Sequence, residues 1–483
     1  MSIVEGEAAT ESGAINFNEM MMSSERLDLS DEVSFFSPFS RPLVRQRIHD
    51  FYKNLTLSEI SGSLGDLGTF IPLYVALCRQ GLLYPTAALF FAGVSNVLTG
   101  FFWDLPMPVQ PMKAIAAVAL VEGLSQEQVT TAGIWMALFL FLLGFTNAID
   151  LIHRVVPQSV VWGMQLGVGA NLAIKGLVMV SQLTWFDAMD CIVLAIACAL
   201  MCAIFLAESV ETSANNHPVG VYMFLLGSIL ALVQLLSETN GAPSSALSQT
   251  GIVDWALRDV TWKDWKVGLL QGALPQLPLS TLNSVISVCC LADSLFPGRR
   301  SEEQSVLSRR HVCVSVGLMN LLVLFGAMPN CHGAGGLAGQ YKFGARHGSS
   351  VVFLGSCKVL LAVLFGKYIL IFLEHIPSAI LGVMLVVSGQ ELASTGLQSL
   401  FAPLLSVGDP SSMGNALRSR MEITLITAII IIGLKKTHVG ALVGIVLDVV
   451  QRFRQTRLQS VVSASGSAPV YYDPVQTGNG GSN

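Results

Sequence analysis

The chain has 483 residues, of which 27 are Lys or Arg and 32 Asp or Glu, so the net charge is −5 and only 12% of residues are charged, against 52% apolar. Soluble globular proteins carry about 25% charged residues, which excludes disorder, a nucleic-acid binder and an ordinary cytosolic enzyme. Runs such as 312–328 and 421–433 are almost free of charge, and a span needs about 20 mostly apolar residues, so the composition describes a polytopic protein whose solvent is the lipid bilayer.

Residues 1–56 are polar, acidic at first (Glu5, Glu7, Glu11) and then basic (Arg41, Arg45, Arg47, Lys53). No apolar region follows an N-terminal basic cluster, so no secretory signal is expected and this stretch reads as a cytosolic tail. Asn54-Leu55-Thr56 is formally a glycosylation acceptor, expected to stay unmodified in the cytosol. Apolar segments follow near 61–79, 82–103, 108–121, 130–148, 157–180, 189–207 and 219–237. A polar stretch bearing Trp255, Trp262 and Trp265 divides the chain. A second series lies near 266–291, 312–328, 330–341, 349–366, 368–391, 421–433 and 437–450. The last 33 residues, 451–483, are rich in Ser and Gly and are expected to be a disordered cytosolic tail. The expected organisation is therefore a first seven-segment repeat over 57–237, a non-cytosolic connector over 238–263 and a second repeat over 264–450.

Nine cysteines fall mostly inside apolar segments and form no Cys-x-x-Cys pair, so neither disulfides nor a metal site is expected, and no cofactor. Loop charges give the orientation. Arg299, Arg300, Arg309 and Arg310 follow segment eight, Lys342 and Arg346 segment ten, Arg418 and Arg420 precede thirteen, and Arg452, Arg454 and Arg457 follow fourteen. With fourteen segments and a cytosolic N-terminus all of these lie on the cytoplasmic side; Lys435-Lys436 is the discordant pair.

An internal repeat supports that count. Met107-Pro108-Val109-Gln110-Pro111 opens segment three and Met328-Pro329-Asn330-Cys331-His332 opens segment ten, with Pro108 and Pro329 separated by 221 residues. Val156-Pro157 and Ile376-Pro377 repeat at a spacing of 220, and Gly62-Ser63-Leu64 before Pro72 corresponds to Gly272-Ala273-Leu274 before Pro275 and Pro278. Seven segments is an odd number, so the second repeat is expected to be inverted in the membrane. The fold expected is an all-α polytopic membrane protein of two inverted seven-segment repeats, with half-helices at segments three and ten.

Short Pro- and Gly-broken segments at matching places of inverted halves point to a transporter's binding site. Each proline of Met107–Lys113 pushes its predecessor out of helical geometry, so a helix is expected to begin near Pro111. The amides of Met112, Lys113 and Ala114 then lack intrahelical acceptors. In segment ten, Cys331-His332-Gly333-Ala334-Gly335-Gly336 offers glycines that let a ligand approach the backbone. Two helix N-termini meeting in mid-membrane make an anion site. Lys113 has the wrong sign for a helix N-terminus unless an anion sits beside it; the alternative is a lysine that snorkels to the interface. Asp66 is an intramembrane carboxylate and a functional candidate, or an ion partner for Lys113. His332 is a ligand contact, a proton carrier or a packing residue. Gln276, Ser280, Thr281 and Asn283 of segment eight contact a ligand or link helices. Glu391 is expected at a solvated helix end.

Ser63–Pro72, Met107–Lys113, Ala273–Ser280 and Gly326–Tyr341 resemble the plant-type molybdate transporter family over about residues 57–450. That family is related to the sulfate permeases. The resemblance implies a fourteen-segment inverted-repeat fold in which a core domain (segments 1–4 and 8–11) moves against a gate domain (5–7 and 12–14), a fold on which homodimers are common. Sulfate permeases usually end in a soluble regulatory domain, for which 33 residues are too few. Segment eight also lacks the acidic residue many relatives carry there. The implied activity is uptake of the tetrahedral oxyanion molybdate, with tungstate as its analogue, by alternating access. Gln110, Pro111, Met112, Lys113, Gln276, Asn283, Cys331, His332, Gly333, Ala334 and Gly335 are the expected binding residues, and protons are carried by Asp66 or His332. Sulfate transport is the alternative; a nucleobase–proton symporter of the same fold has no need of Lys113. No nucleophile–base pair supports an enzyme. The plasma membrane is the expected location, with an internal membrane such as the vacuole the alternative.

Overall fold

The computed structural model describes residues 41–186, 189–207, 217–237, 260–299, 306–406 and 410–465. The tail before residue 41, most of the 238–263 connector with Trp255, and Arg300 lie outside the described residues. Helix α1 (Arg41–Asn54) leads into α2 (Leu57–Arg79) and α3 (Pro85–Trp103). Then come strand β1 (Val109–Pro111), half-helix α4 (Lys113–Glu122), α5 (Gln126–Phe145), the short α6 (Ala148–Val155), α7 (Gln158–Ser181), α8 (Ile192–Ala207) and α9 (Val219–Ser237). The second half holds α10 (Trp262–Leu295), α11 (Arg309–Asn320), β2 (Asn330–His332), half-helix α12 (Ala334–Lys342), α13 (Gly348–Phe365), α14 (Ile369–Glu374), α15 (Ser378–Ser406), α16 (Pro410–Leu434) and α17 (Thr437–Ser465). Among the described residues, eight helices are long and apolar enough to cross a membrane.

Local chemistry sets the boundaries. Pro85 occupies the first turn of α3, and Ser125 with Gln128 forms a reciprocal capping box on α5. Pro157 and Pro377 each stand just before a long helix, α7 and α15. Pro377 also corrects one expectation: the segment read over 368–391 divides into α14 and α15, because a residue before proline leaves helical geometry. A second correction concerns the C-terminal tail, since α17 continues through 451–465 rather than ending near residue 450. Helix α10 contains wide π-helical stretches at Gly268–Ala273 and Ser280–Ser287. Pro275 and Pro278 supply no N–H to the preceding turn, and such widened turns recur at functional sites.

The motif spacing relates α3 to α11, α5 to α13 and α7 to α15. The observed packing is α3 on α13, α5 on α11 and α7 on α15. A two-fold operation exchanges the first two pairs and returns the third to itself, as inverted repeats require. Close crossings depend on glycine where backbones touch. A Cβ on Gly93 or Gly355 would lie 2.7 or 2.5 Å from the other's carbonyl oxygen where α3 meets α13, and Gly169 and Gly389 stand in the same relation, at 2.6 and 2.5 Å, where α7 meets α15. Small residues at such contacts are the usual device where lipid offers no hydrophobic drive between helices.

At the end of α3, Asp104 (φ 50°) collects Arg47 at 3.4 Å, Arg299 at 3.7 Å and His347 at 3.8 Å, and accepts from the Gly348 amide at 2.9 Å. Partial burial works to raise this carboxyl. The His347 ring, the Gly348 amide and the Arg299 charge outweigh it and hold the group below the usual carboxylate range. Glu59 likewise accepts from the Arg346 and His347 amides at 2.7 and 3.1 Å. These bonds fasten α1, α2, α3 and α13 together at one end of the bundle.

Candidate functional site at the crossing of two half-helices

Inside the bundle, β1 and β2 run antiparallel with Val109 opposite His332, Gln110 opposite Cys331 and Pro111 opposite Asn330. The two strands form one short ribbon whose outer edges need partners in a dry environment. Asn96 of α3 accepts from the Val109 amide at 2.7 Å. Asn320 of α11 does the same for β2, accepting from the Asn330 amide at 2.9 Å and donating to its carbonyl at 2.6 Å. Asn96 and Asn320 lie on repeat-related helices, so one device is used twice. From the ribbon the chain passes directly into α4 and α12, so the first turns of both helices start beside it.

The helix expected to begin near Pro111 begins at Lys113 instead, because Pro111 is the last residue of β1. Two of the three amides expected to lack acceptors are engaged. Met112 donates to the Pro329 carbonyl at 2.9 Å, and Ala114 donates to Gln276 Oε1 at 2.8 Å. Gln276, fully buried on α10, thus caps α4 from outside, and its Nε2 donates to Ser280 at 2.9 Å. In the repeat register Gln276 matches Asp66, which also sends a polar group to the ribbon. Asp66 is buried in a tight turn of α2 at Leu64–Asp66, where its Oδ1 accepts from Gln110 Nε2 while Oδ2 has no hydrogen-bond partner. The turn fits only because neither Gly65 nor Gly339 has a side chain: a Cβ on Gly65 would lie 2.5 Å from the Gly339 carbonyl oxygen.

The Gln110 carboxamide fills the space over Gly333 and Gly336, where a Cβ on either would collide with it. The glycines expected to admit a ligand therefore admit a side chain of the same site in this structure. Gly335 lies against Leu172 of α7, and Ala334 is fully buried. Lys113 is half-buried at the start of α4, within electrostatic reach of Asp66 and Cys331. His332 is fully buried, edge-on to Trp103 with ring centroids 5.8 Å apart, and its Nε2 has no partner. Asn283 is buried on the widened stretch of α10 that packs against β2, α7 and α12. Glu391 stands apart from this group and pairs with Lys342 at 3.3 Å. The expected residues thus converge on the ribbon from α2, α4, α10 and α12. Two helix N-termini and a lysine give a positive potential suited to an anion.

Four polar residues at or near the site escaped the sequence reading. Asn96 and Asn320 have no distinguishing sequence context. Lys358 of α13 is only 4% exposed, and its Nζ lies 3.6 Å from the centroid of the Phe70 ring. Lys175 of α7 is exposed, and the Lys113 charge reaches it. Both lysines interrupt apolar runs, the same signal that marked Lys113.

A family model described as "Molybdate transporter of MFS superfamily" matches residues 58–172 and 268–392, one block in each half. Molybdate transporter 2 of Arabidopsis thaliana is 38% identical over 383 residues, covering 71% of this chain and 79% of that protein. Molybdate transporter 1 of Chlamydomonas reinhardtii is 34% identical over 497 residues, covering 83% and 92%. Among solved structures, SLC26A9 superposes with a TM-score of 0.55 at 12% identity, covering 85% of this chain and 66% of that one. Murine Slc26a9, described as an anion transporter in the inward-facing state, gives 0.53 at 13% identity, covering 94% and 77%. The fold is therefore that of the SLC26 transporters, and the chain belongs to the molybdate transporter family.

Proposed function

We propose that this protein imports molybdate by alternating access, fourteen segments forming a core body (α2–α5 and α10–α13) and a gate body (α7–α9 and α15–α17). The observation that carries the reading is the antiparallel ribbon, which brings the starts of two half-helices to one place beside Lys113. A tetrahedral dianion there accepts bonds from first-turn amides of α4 and α12, with Gln110, Cys331, His332, Gln276 and Asn283 around it. Lys113 supplies the countercharge. The glycine-backed crossings also support two bodies: α3 on α13 falls within the core and α7 on α15 within the gate.

Moving one charge against 100 mV costs about 2.3 kcal/mol, so a dianion entering a negative cell faces about 4.6 kcal/mol. Uptake of a scarce anion therefore calls for a co-ion, and protons carried by Asp66 or His332 fill that role. The plasma membrane, with both termini cytosolic, is the setting in which uptake meets that barrier.

Purified protein in liposomes tests the reading, with labelled molybdate uptake followed while pH gradient and membrane potential are varied separately. Accumulation driven by inward acid, inhibited by tungstate and insensitive to sulfate, is expected. No uptake under any gradient refutes it, and inhibition by sulfate as strong as by tungstate reassigns the substrate. Of Asp66→Asn and His332→Gln, the variant that loses the pH-driven component identifies the proton carrier.

A further inference from the structure

The site contains one buried charge more than the expected residues account for. Lys358 is carried into the bundle by α13, whose Gly355 crosses α3 at backbone contact three residues earlier. Its ammonium is buried without a hydrogen-bond partner and rests on the face of Phe70. Phe70 is four residues after Asp66 on α2, so both side chains lie on one face of that helix. Lys358 thus stands one turn from a carboxylate whose Oδ2 is also unpartnered. A buried ammonium at membrane depth is costly and is normally balanced by an opposite charge. Asp66 is the carboxylate whose charge acts on it.

Leaving aside the exposed Lys175, the charges at the crossing are Asp66, Lys113 and Lys358, and their sum is +1. Were Lys358 absent, the Asp66 carboxylate would be balanced by Lys113, and the start of α4 would offer an anion no net charge. We propose that Lys358 is a positioning residue of the oxyanion site: it balances Asp66, holding that carboxylate on Gln110 and leaving the Lys113 charge to the transported dianion. Lys358 touches no substrate. It acts through Asp66, and the inference rests on the transport reading given above.

The test is labelled molybdate uptake into liposomes by the full chain, read as KM and maximal rate. Lys358→Met is expected to raise KM by about tenfold to a hundredfold, with the maximal rate at saturating molybdate largely kept. Lys358→Arg keeps the charge and should keep the native KM. Adding Asp66→Asn to Lys358→Met removes the carboxylate that competes for Lys113 and should recover most of the lost affinity, read as equilibrium tungstate binding to the purified protein, which does not depend on Asp66 as a proton carrier. A Lys358→Met protein with lowered thermal stability but native KM overturns the inference, as does a double variant as weak as the single one. Should Lys358→Met alone fail to fold, the double variant decides: a tungstate dissociation constant within about tenfold of native supports the inference and a larger rise overturns it. A native protein that moves neither molybdate nor tungstate defeats the transport reading itself; a native protein that transports with Lys358→Met unchanged defeats this inference alone.

Discussion

Asn96 shows what a single side chain does here. Its carboxamide oxygen is the acceptor for the Val109 amide, and nothing else among the described residues bonds that donor. Asn96→Leu would orphan a buried amide, costing about 1–3 kcal/mol, and should lower the detergent melting temperature while leaving the chain inserted. An unchanged melting temperature would show that the ribbon does not depend on this edge. Lys113 has the opposite emphasis, since in the proposed transport its charge acts on ligand rather than on stability. Lys113→Gln should weaken tungstate binding by about tenfold to a hundredfold with little change in melting, and an unaltered affinity would remove Lys113 from the site. Asp66 and Lys113 were legible in the sequence because a charge in an apolar run must be accounted for. Lys358 met that test equally well. What hid its role is that its partners come from α2, and only the folded packing brings α13 against Phe70. Asn96 was illegible for a different reason: an asparagine in an apolar helix is ordinary, and its acceptor role exists only once β1 lies beside it.

At the scale of elements, prolines and glycines were the readable signals. Pro108 and Pro329 announced two broken segments, and the structure puts a strand and a half-helix at each. The strand was not foreseen. Three residues with prolines nearby carry no alternating pattern long enough to mark one, and it forms because the two breaks lie side by side. Pro377 was read as half of a repeat but not as a helix boundary, so one expected segment became α14 and α15. Glycine pairing across crossings gives a sharp prediction. Gly355→Leu places side-chain atoms in the α3 backbone and should prevent recovery of folded protein, whereas Gly433→Ala, where a Cβ meets nothing within 4 Å, should behave as the native chain. A Gly355→Leu protein that purifies and melts normally would contradict the α3–α13 packing.

For the whole molecule, the repeat unites the separate observations. Asn96 with Asn320, and α4 with α12, are each one solution used in both halves. The departures from symmetry are what make a site. The repeat position that holds Gln276, a neutral cap on Ala114, holds Asp66 in the other half, and that charge brings Lys358 and Gln110 with it. The motif spacing made the symmetry readable, but the asymmetry acquires meaning only from the side chains' positions. In the proposed transport, a tetrahedral oxyanion sits where the half-helices meet, displacing Gln110 from the glycines of α12. The most direct measurement is a structure of the protein with tungstate, located by its scattering. A single strong peak between the starts of α4 and α12, beside Lys113, is the predicted result; a peak elsewhere in the bundle, with the Gln110 carboxamide still over Gly333 and Gly336, would contradict it.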